Sequence, residues 1–331
     1  MPNPKGAPLS VPSTKEITEL TLPPLLKPGD RVALFNPGSH GGKFPPEWPG
    51  KALDVLESWG LQPEPRPLEE ARHLYLSGTD PQRAETFQAL YCDAEIKALF
   101  AARGGYGTAR MLPLLDAGRF AAAPPKAVVG MSDVSALFAY LHGVAGVGAI
   151  HGPCLAAPGV FDSPKEQDNL AHLKTLLFDP ASPPPYPCTL LHAPSQGGFR
   201  VSGPLLGGNL TVLAAGLGTP WALDTRGAIL FFEDVNEAAY RVDRCLTQFR
   251  QAERLDHIAA LVFGSLSGRE DDPPGLLEAA LGDLFADAPF PVAVGLPAGH
   301  GPLNRALPLG KPAALAAESG DKDSPAALEI L

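Results

Sequence analysis

An α/β fold built on a mostly parallel sheet is what this sequence predicts, and three observations predict it. Short apolar, β-rich runs alternate with segments of helical spacing through the first half of the chain. Several of these runs end in glycine-bearing turns, as strands do before a helix begins. A proline-rich break then separates this half from a second series of strands and helices. With 331 residues, the chain is long enough for about two domains at roughly 150 residues each.

Residues 31–35 (RVALF) read as a strand that stops at the turn cluster Asn36-Pro37-Gly38-Ser39. Residues 52–59 carry Leu53, Leu56 and Trp59 at helical spacing, with Gly60 as a stop. Asp80-Pro81 starts the next helix, because aspartate caps and proline fits the first turn; this helix runs to about Leu90. Residues 96–102 form an apolar strand that enters Arg103-Gly104-Gly105-Tyr106-Gly107, and a helix follows over 108–115. A short strand at 127–129 leads into the turn Gly130-Met131-Ser132-Asp133, then a helix over 134–141 and a strand at 148–150. The texture changes between 159 and 198, where Ser182-Pro183-Pro184-Pro185-Tyr186-Pro187 argues against a regular helix or a central strand. Beyond it, strands are expected at 228–232, 258–263, 292–294 and 328–331, and helices at 237–251 and 276–285. The organisation read from this is a loose tail over 1–22, a first domain over 23–160, a linker over 161–198 and a second domain over 199–331.

Composition removes several function classes. Lysine and arginine total 26 against 36 aspartates and glutamates, for a net charge of −10. Without a basic run to offset it, this charge repels nucleic-acid phosphates and anionic membranes, so neither is expected as a partner. Cys92, Cys154, Cys188 and Cys245 are scattered with no C-x-x-C pair, which argues against a zinc ribbon and a disulfide framework. They read as reduced thiols in a cytoplasmic protein. No apolar run reaches the length of a membrane span, and the proline-bearing N-terminus lacks the apolar core of a secretory signal.

Three polar points can form one site. Ser132 sits on a tight strand-to-helix turn, where a hydroxyl is exposed at the carboxyl end of the sheet beside helix N-terminal N–H groups. Val134 replaces the second glycine of the G-x-S-x-G pattern, and a plain helix-capping serine is the competing reading. Arg103–Gly107 places three glycines in five residues at a strand end, which suits an exposed N–H donor or simply a glycine turn. Glu233-Asp234 emerges from an apolar strand, and His300 lies between Gly299 and Gly301 in a loop. A histidine oriented by a carboxylate can take a proton from a serine hydroxyl. Asp234 and Glu237 are alternative acids, while His151 reads as structural and Cys154 as a buried thiol.

Taken in order, these segments resemble the LD-carboxypeptidase family of serine peptidases, which includes the microcin C immunity peptidases. The matching pieces are 103–110 (RGGYGTAR), 130–134 (GMSDV), 151–153 (HGP), 207–210 (GGNL), 232–244 (FEDVNEAAYRVDR), 299–301 (GHG) and 307–310 (LPLG). The resemblance implies an N-terminal flavodoxin-like parallel-sheet domain and a smaller C-terminal α/β domain with a β-barrel-like core. It implies a cytoplasmic, cofactor-free, metal-free homodimer that cleaves a C-terminal D-residue, usually the D-alanine of a murein tetrapeptide in peptidoglycan recycling. The family's nucleophile, acid and base fall on Ser132, Glu233 and His300, and its oxyanion donors on the N–H groups of Gly105 and Asp133. Arg103 and Arg241 are candidate partners of a substrate carboxylate, since guanidinium pairs with carboxylate in bidentate fashion, with an ordinary intra-domain salt bridge on a helix as the competing reading of Arg241. Hydrolysis of a peptidyl-nucleotide antibiotic is the alternative. The tryptophans, Trp48, Trp59 and Trp221, lie outside 151–200, where an aromatic ring would stack on a nucleotide, leaving Phe161, Tyr186 or Phe199 for that task. A non-catalytic small-molecule receptor, with Gly104, Gly105 and Gly107 admitting a ligand, is the competing class.

Overall fold

The computed structural model describes residues 20–331 apart from 42–44, 65–71, 159, 163–164 and 180. Most of the expected tail thus lies outside the described residues. Thr21, near its end, is hydrogen-bonded to Gly146 and Gly148.

The first half contributes β1 (Arg31–Phe35), α1 (Trp48–Ser58), β2 (Gln62–Glu64), α2 (Asp80–Cys92), β3 (Ile96–Ala101), α3 (Thr108–Met111), α4 (Ala117–Ala122), β4 (Ala127–Gly130), α5 (Ser135–Tyr140) and β5 (Ala149–His151). Its strands pair in parallel in the order β2-β1-β3-β4-β5, the flavodoxin-like order. In such sheets ligands settle beyond the carboxyl ends of the strands, near the point where strand order reverses, here between β1 and β3. Helix α2 starts where expected, with Pro81 in its first turn, but its cap is Thr79 and not Asp80: Thr79 forms a capping box with Gln82, and Asp80 is the first helical residue.

The rest of the chain forms α6 (Glu166–Phe178), β6 (Tyr186–His192), β7 (Gly197–Asn209), α7 (Leu210–Ala215), β8 (Ile229–Asp234), α8 (Ala239–Gln251), β9 (Ala260–Leu266), α9 (Leu276–Leu284), β10 (Val292–Val294), β11 (Leu307–Leu309), β12 (Pro312–Ser319) and β13 (Pro325–Ile330). Seven of these strands close a barrel in the order β10-β6-β13-β12-β7-β8-β9. The run β7-β8-β9-β10 is parallel and the remaining pairs are antiparallel. Closure removes exposed sheet edges. No helix among the described residues is long and apolar enough to cross a membrane.

Three expectations change. The proline run argues against a central strand, yet β6, with neighbours on both sides in the barrel, begins at Tyr186 and carries Pro187 as its second residue, paired with Ala327. Proline is tolerated at a strand's start, and here it occupies the outward position of an alternating pattern whose Tyr186, Cys188 and Leu190 are buried. The stretch read as linker also holds α6, with Asn169, Leu173 and Leu177 buried at helical spacing. Finally, β11 returns from the second half and pairs antiparallel with β5, completing a six-stranded sheet.

The two units share a core. One apolar cluster includes Val134 and Leu137 from the first unit and Leu205 and Phe231 from the second. Helix α5 is buried along its whole length and packs against β7 and α7 of the barrel unit. Burying each such Leu or Phe contributes about 1.5–3 kcal/mol, so the segment after Ser132 is fixed against the second unit.

Candidate active site

Ser132 follows β4 and adopts φ +61°, the left-handed region. This costs an L-residue about 1–2 kcal/mol, and such strain gathers where a side chain must be presented at a set angle. The capping reading is not realised: the short turn Ser132–Val134 is capped at Met131 with no side-chain hydrogen bond.

The loop after β3 lies directly against this serine. A Cβ on Gly104 would come within 2.8 Å of Ser132 Cβ and 3.0 Å of its Oγ, so only glycine fits. Gly105 takes φ +100°, and a Cβ there would strike Ser39 of the loop after β1. Ser39 Oγ in turn accepts a hydrogen bond from the Tyr106 N–H at 3.0 Å. Asp133 turns its carboxylate inward, where Oδ2 accepts from Thr108 N at 2.8 Å and Thr108 Oγ1 at 2.6 Å. Burial pushes its carboxyl above the ordinary value, against those hydrogen bonds. Buried Arg83 donates to the carbonyls of Pro37 and Gly107 and pairs with Asp80. The loops after β1, β3 and β4 are therefore tied into one surface.

The barrel unit presents the other half. Glu233 is the penultimate residue of β8 and fully buried. His300 Nδ1 lies 2.6 Å from Glu233 Oε2. Gly299, at φ +107°, admits this approach, because a Cβ there would sit 2.7 Å from Glu233 Cβ. The loop around His300 is pinned by asparagines. Asn304 Oδ1 accepts from Gly299 N at 3.1 Å, Asn304 N donates to Asn169 Oδ1 at 2.9 Å, and Asn169 Nδ2 donates to Pro302 O at 3.3 Å. Asn304 Nδ2 also reaches Met131 Sδ at 3.0 Å, one residue before Ser132.

Charge at this pair follows from its surroundings. Burial alone would raise Glu233, but the neighbouring His151 and His300 rings reverse the sign and hold its carboxyl down to about 2. Burial pulls His300 down, and the bond to Glu233 outweighs it, so the imidazole titrates above its ordinary 6.5. Asp234, the alternative acid, is committed elsewhere: it accepts from Asn209 Nδ2 at 3.0 Å and Thr211 N at 2.9 Å. Glu237 pairs with Arg241.

Ser132 and His300 line one cavity of about 280 Å³, together with Arg103, Gly104, Gly105 and Cys154. Burial pushes the Cys154 thiol up to about 12, so it stays protonated. Ser132 Oγ is not within bonding distance of the His300 ring, whose hydrogen bond among the described residues goes to Glu233. Catalytic hydrogen bonds often tighten only once substrate is bound. Arg241 does not line the cavity. Its guanidinium is half-exposed on α8 and lies 3.6 Å from Glu237, one helical turn away. Arg103 does line it, and donates to His40 O at 3.0 Å. Asn169, Asn304 and Arg83 were not singled out from sequence, and Thr108 and Asn209 entered only within the 103–110 and 207–210 pieces. Local signals do mark two of them: the capping box before Arg83, and the place of Asn209 as the cap of α7.

A strand-end serine, a glycine-lined loop and a histidine–glutamate pair in this order match two family models. The LD-carboxypeptidase N-terminal domain matches residues 32–152 and the C-terminal domain residues 202–315. The chain belongs to the LD-carboxypeptidase family. Among its LD-carboxypeptidase relatives, the murein tetrapeptide carboxypeptidase of Pseudomonas aeruginosa is 36% identical over 300 residues, covering 86% of this chain and 92% of the relative. The crystal structure of muramoyltetrapeptide carboxypeptidase from Oxalobacter formigenes superposes with a TM-score of 0.75 at 29% identity, covering 91% of this chain and 98% of that one. The microcin C7 self-immunity protein of Escherichia coli is more distant, 23% identical over 261 residues, covering 71% of this chain and 75% of the relative. Its wild-type structure shares the fold with a TM-score of 0.76, covering 94% and 98% of the two chains.

Proposed function

We propose that this chain is a serine LD-carboxypeptidase that cuts the amide between an L-centre and a C-terminal D-amino acid. Its substrate is a murein tetrapeptide and its products are the tripeptide and D-alanine. The observation that carries this reading is the 2.6 Å contact between His300 and a fully buried Glu233, on the same cavity as a serine held at φ +61°.

In this mechanism Ser132 Oγ attacks the scissile carbonyl as its proton passes to His300 Nε2. Glu233 accepts from Nδ1–H, which fixes the tautomer and stabilises the imidazolium. The N–H groups of Asp133 and Gly105 hold the oxyanion. His300 then protonates the leaving amine of the D-residue, and a water attacks the acyl-serine by the reverse proton path. Arg103 lines the cavity and supplies a counter-charge for the substrate's terminal carboxylate. No cofactor enters any step. The proposal places the enzyme in the cytoplasm as a homodimer that recycles peptidoglycan fragments.

The test is incubation of the purified chain with L-Ala-γ-D-Glu-meso-diaminopimelate-D-Ala and assay of free D-alanine. Aspartyl sulfamoyl adenosine, a ligand in one microcin self-immunity structure, is the second arm. Faster turnover of the murein peptide is expected. Preference for the adenosine conjugate would move the chain to the antibiotic-hydrolysing branch, and no turnover of either would leave the receptor reading.

A further inference from the structure

His300 engages only one oxygen of Glu233. The other, Oε1, faces a second imidazole: His151 Nε2 lies 3.8 Å away, with both side chains fully buried. Neither ring nitrogen of His151 has a hydrogen-bond partner among the described residues. The ring packs edge-on against Phe231, with centroids 5.0 Å apart at 77°. An imidazole enclosed without a full hydrogen bond is disfavoured, and an apolar side chain would fill such a site at lower cost. What an imidazole can offer here and an apolar side chain cannot is a ring nitrogen 3.8 Å from the carboxylate, able to carry a proton toward it.

Resting on the triad reading above, we infer that His151 is a positioning residue. It carries its proton on Nε2 and holds Glu233 ionised from the oxygen that His300 leaves open. Asn209 Nδ2, at 3.4 Å, is the other donor to Oε1. The remaining charged groups near the pair are Asp234, next on β8, which acts on His300, and Arg103 and Asp133, which act together with Glu233 on Cys154. Removing His151 leaves the anionic carboxylate poorly supported whenever His300 is neutral. The Glu233–His300 pair then retains its proton to higher pH, and the base form of His300 appears later in a titration.

The experiment measures kcat/KM for D-alanine release from the murein tetrapeptide between pH 5 and pH 9, for wild type, His151→Phe and His151→Gln. His151→Phe is expected to move the acid limb up by about half to one pH unit, a roughly 3–10-fold loss on the limb, with the plateau kcat within about threefold. Glutamine keeps an N–H donor, so His151→Gln is expected to return the limb close to its wild-type position. An acid limb unmoved in His151→Phe overturns the proposal, whatever happens to Tm. If His151→Phe does not fold, ring ¹⁵N NMR of the wild-type protein decides: the Nε2–H form of His151 supports the proposal and the Nδ1–H form overturns it. That spectrum needs no turnover, so its outcome is separate from any failure of Ser132 as nucleophile.

Discussion

The two sides of the cavity are held by different physics. On the sheet side, backbone geometry does the positioning: Ser132 sits at φ +61°, and Gly104 lies so close to it that no Cβ fits between them. On the barrel side, side chains do it: a buried carboxylate orients an imidazole at 2.6 Å, and Asn169 and Asn304 pin the loop that carries it. The first side is rigid because the alternatives clash. The second is rigid because buried polar groups lose free energy when unpaired. Steric fixing is insensitive to pH and intolerant of added atoms, whereas fixing by charge tolerates changes of volume but responds to protonation.

The largest expected effect is on the sheet side. Ser132→Ala should lower kcat for D-alanine release by roughly 10³–10⁶-fold while leaving Tm within a few degrees, since no capping bond is lost. Activity within a few-fold of wild type would remove Ser132 from the mechanism. Gly104→Ala sharpens the steric argument. Its backbone is not in the left-handed region, so the substitution adds only a methyl group 2.8 Å from Ser132 Cβ. A displacement of about an ångström at the nucleophile costs on the order of 10²-fold in rate. Steady-state kinetics beside a thermal melt would show kcat falling far more than stability; an unchanged kcat would mean that the loop yields freely.

The barrel side should reveal itself through pH. His300 titrates above its ordinary 6.5 because the Glu233 bond outweighs the burial that lowers it. In the proposed mechanism the neutral ring is the base, so the acid limb of kcat/KM should lie above pH 6.5 and activity should rise as that proton leaves. Stability runs the opposite way. A raised folded-state pKa contributes stability below the unfolded value, and that contribution is lost as pH rises through the folded value. Glu233, held down to about 2 against an ordinary 4.5, contributes above pH 4.5 and loses its contribution as pH falls toward 2. Chemical denaturation across pH should place the pair's combined contribution at its largest between about 4.5 and 6.5. An acid limb well below pH 6.5 would show that Glu233 does not carry a negative charge beside the ring.

The same division explains what was legible in the sequence. The strands β1, β3, β4 and β5 announce themselves by short apolar runs, and Ser132 by its place between a strand and a helix. Glycines report close approach locally, so Arg103–Gly107 and Gly299-His300-Gly301 could be singled out. The long-range contacts of the asparagines could not. Asn304 reaches Met131 across 173 positions with nothing local to mark it, and Asn209, legible locally as the cap of α7, reaches Glu233 across 24. Tyr186 reads only as a ring able to stack on a nucleotide; the prolines around it hide its place in a strand, where the ring is fully buried and its hydroxyl ties β6 to Ala306 at 2.8 Å. Strand β11 crosses back into the first sheet because its three residues are buried there against β5, a partner more than 150 positions away. Contacts of that range are set by the tertiary fold and leave no spacing to read.

The smallest expected effect concerns the two arginines expected to bind a substrate carboxylate. Both lie near motifs that the chain shares with its family, and residue type alone does not separate them. Their places do: Arg103 lines the cavity beside Ser132, whereas Arg241 stands half-exposed on α8 with Glu237 as its partner. An exposed i,i+4 pair holds two long side chains in high dielectric, and such pairs contribute little to stability. Arg241→Ala should therefore leave kcat, KM and Tm close to wild type. Arg103→Ala should raise KM, because the terminal carboxylate loses its counter-charge inside an enclosed site. A tenfold rise in KM from Arg241→Ala would mean that α8 swings toward the cavity when substrate binds, and the barrel side would then be mobile rather than fixed by its buried charges.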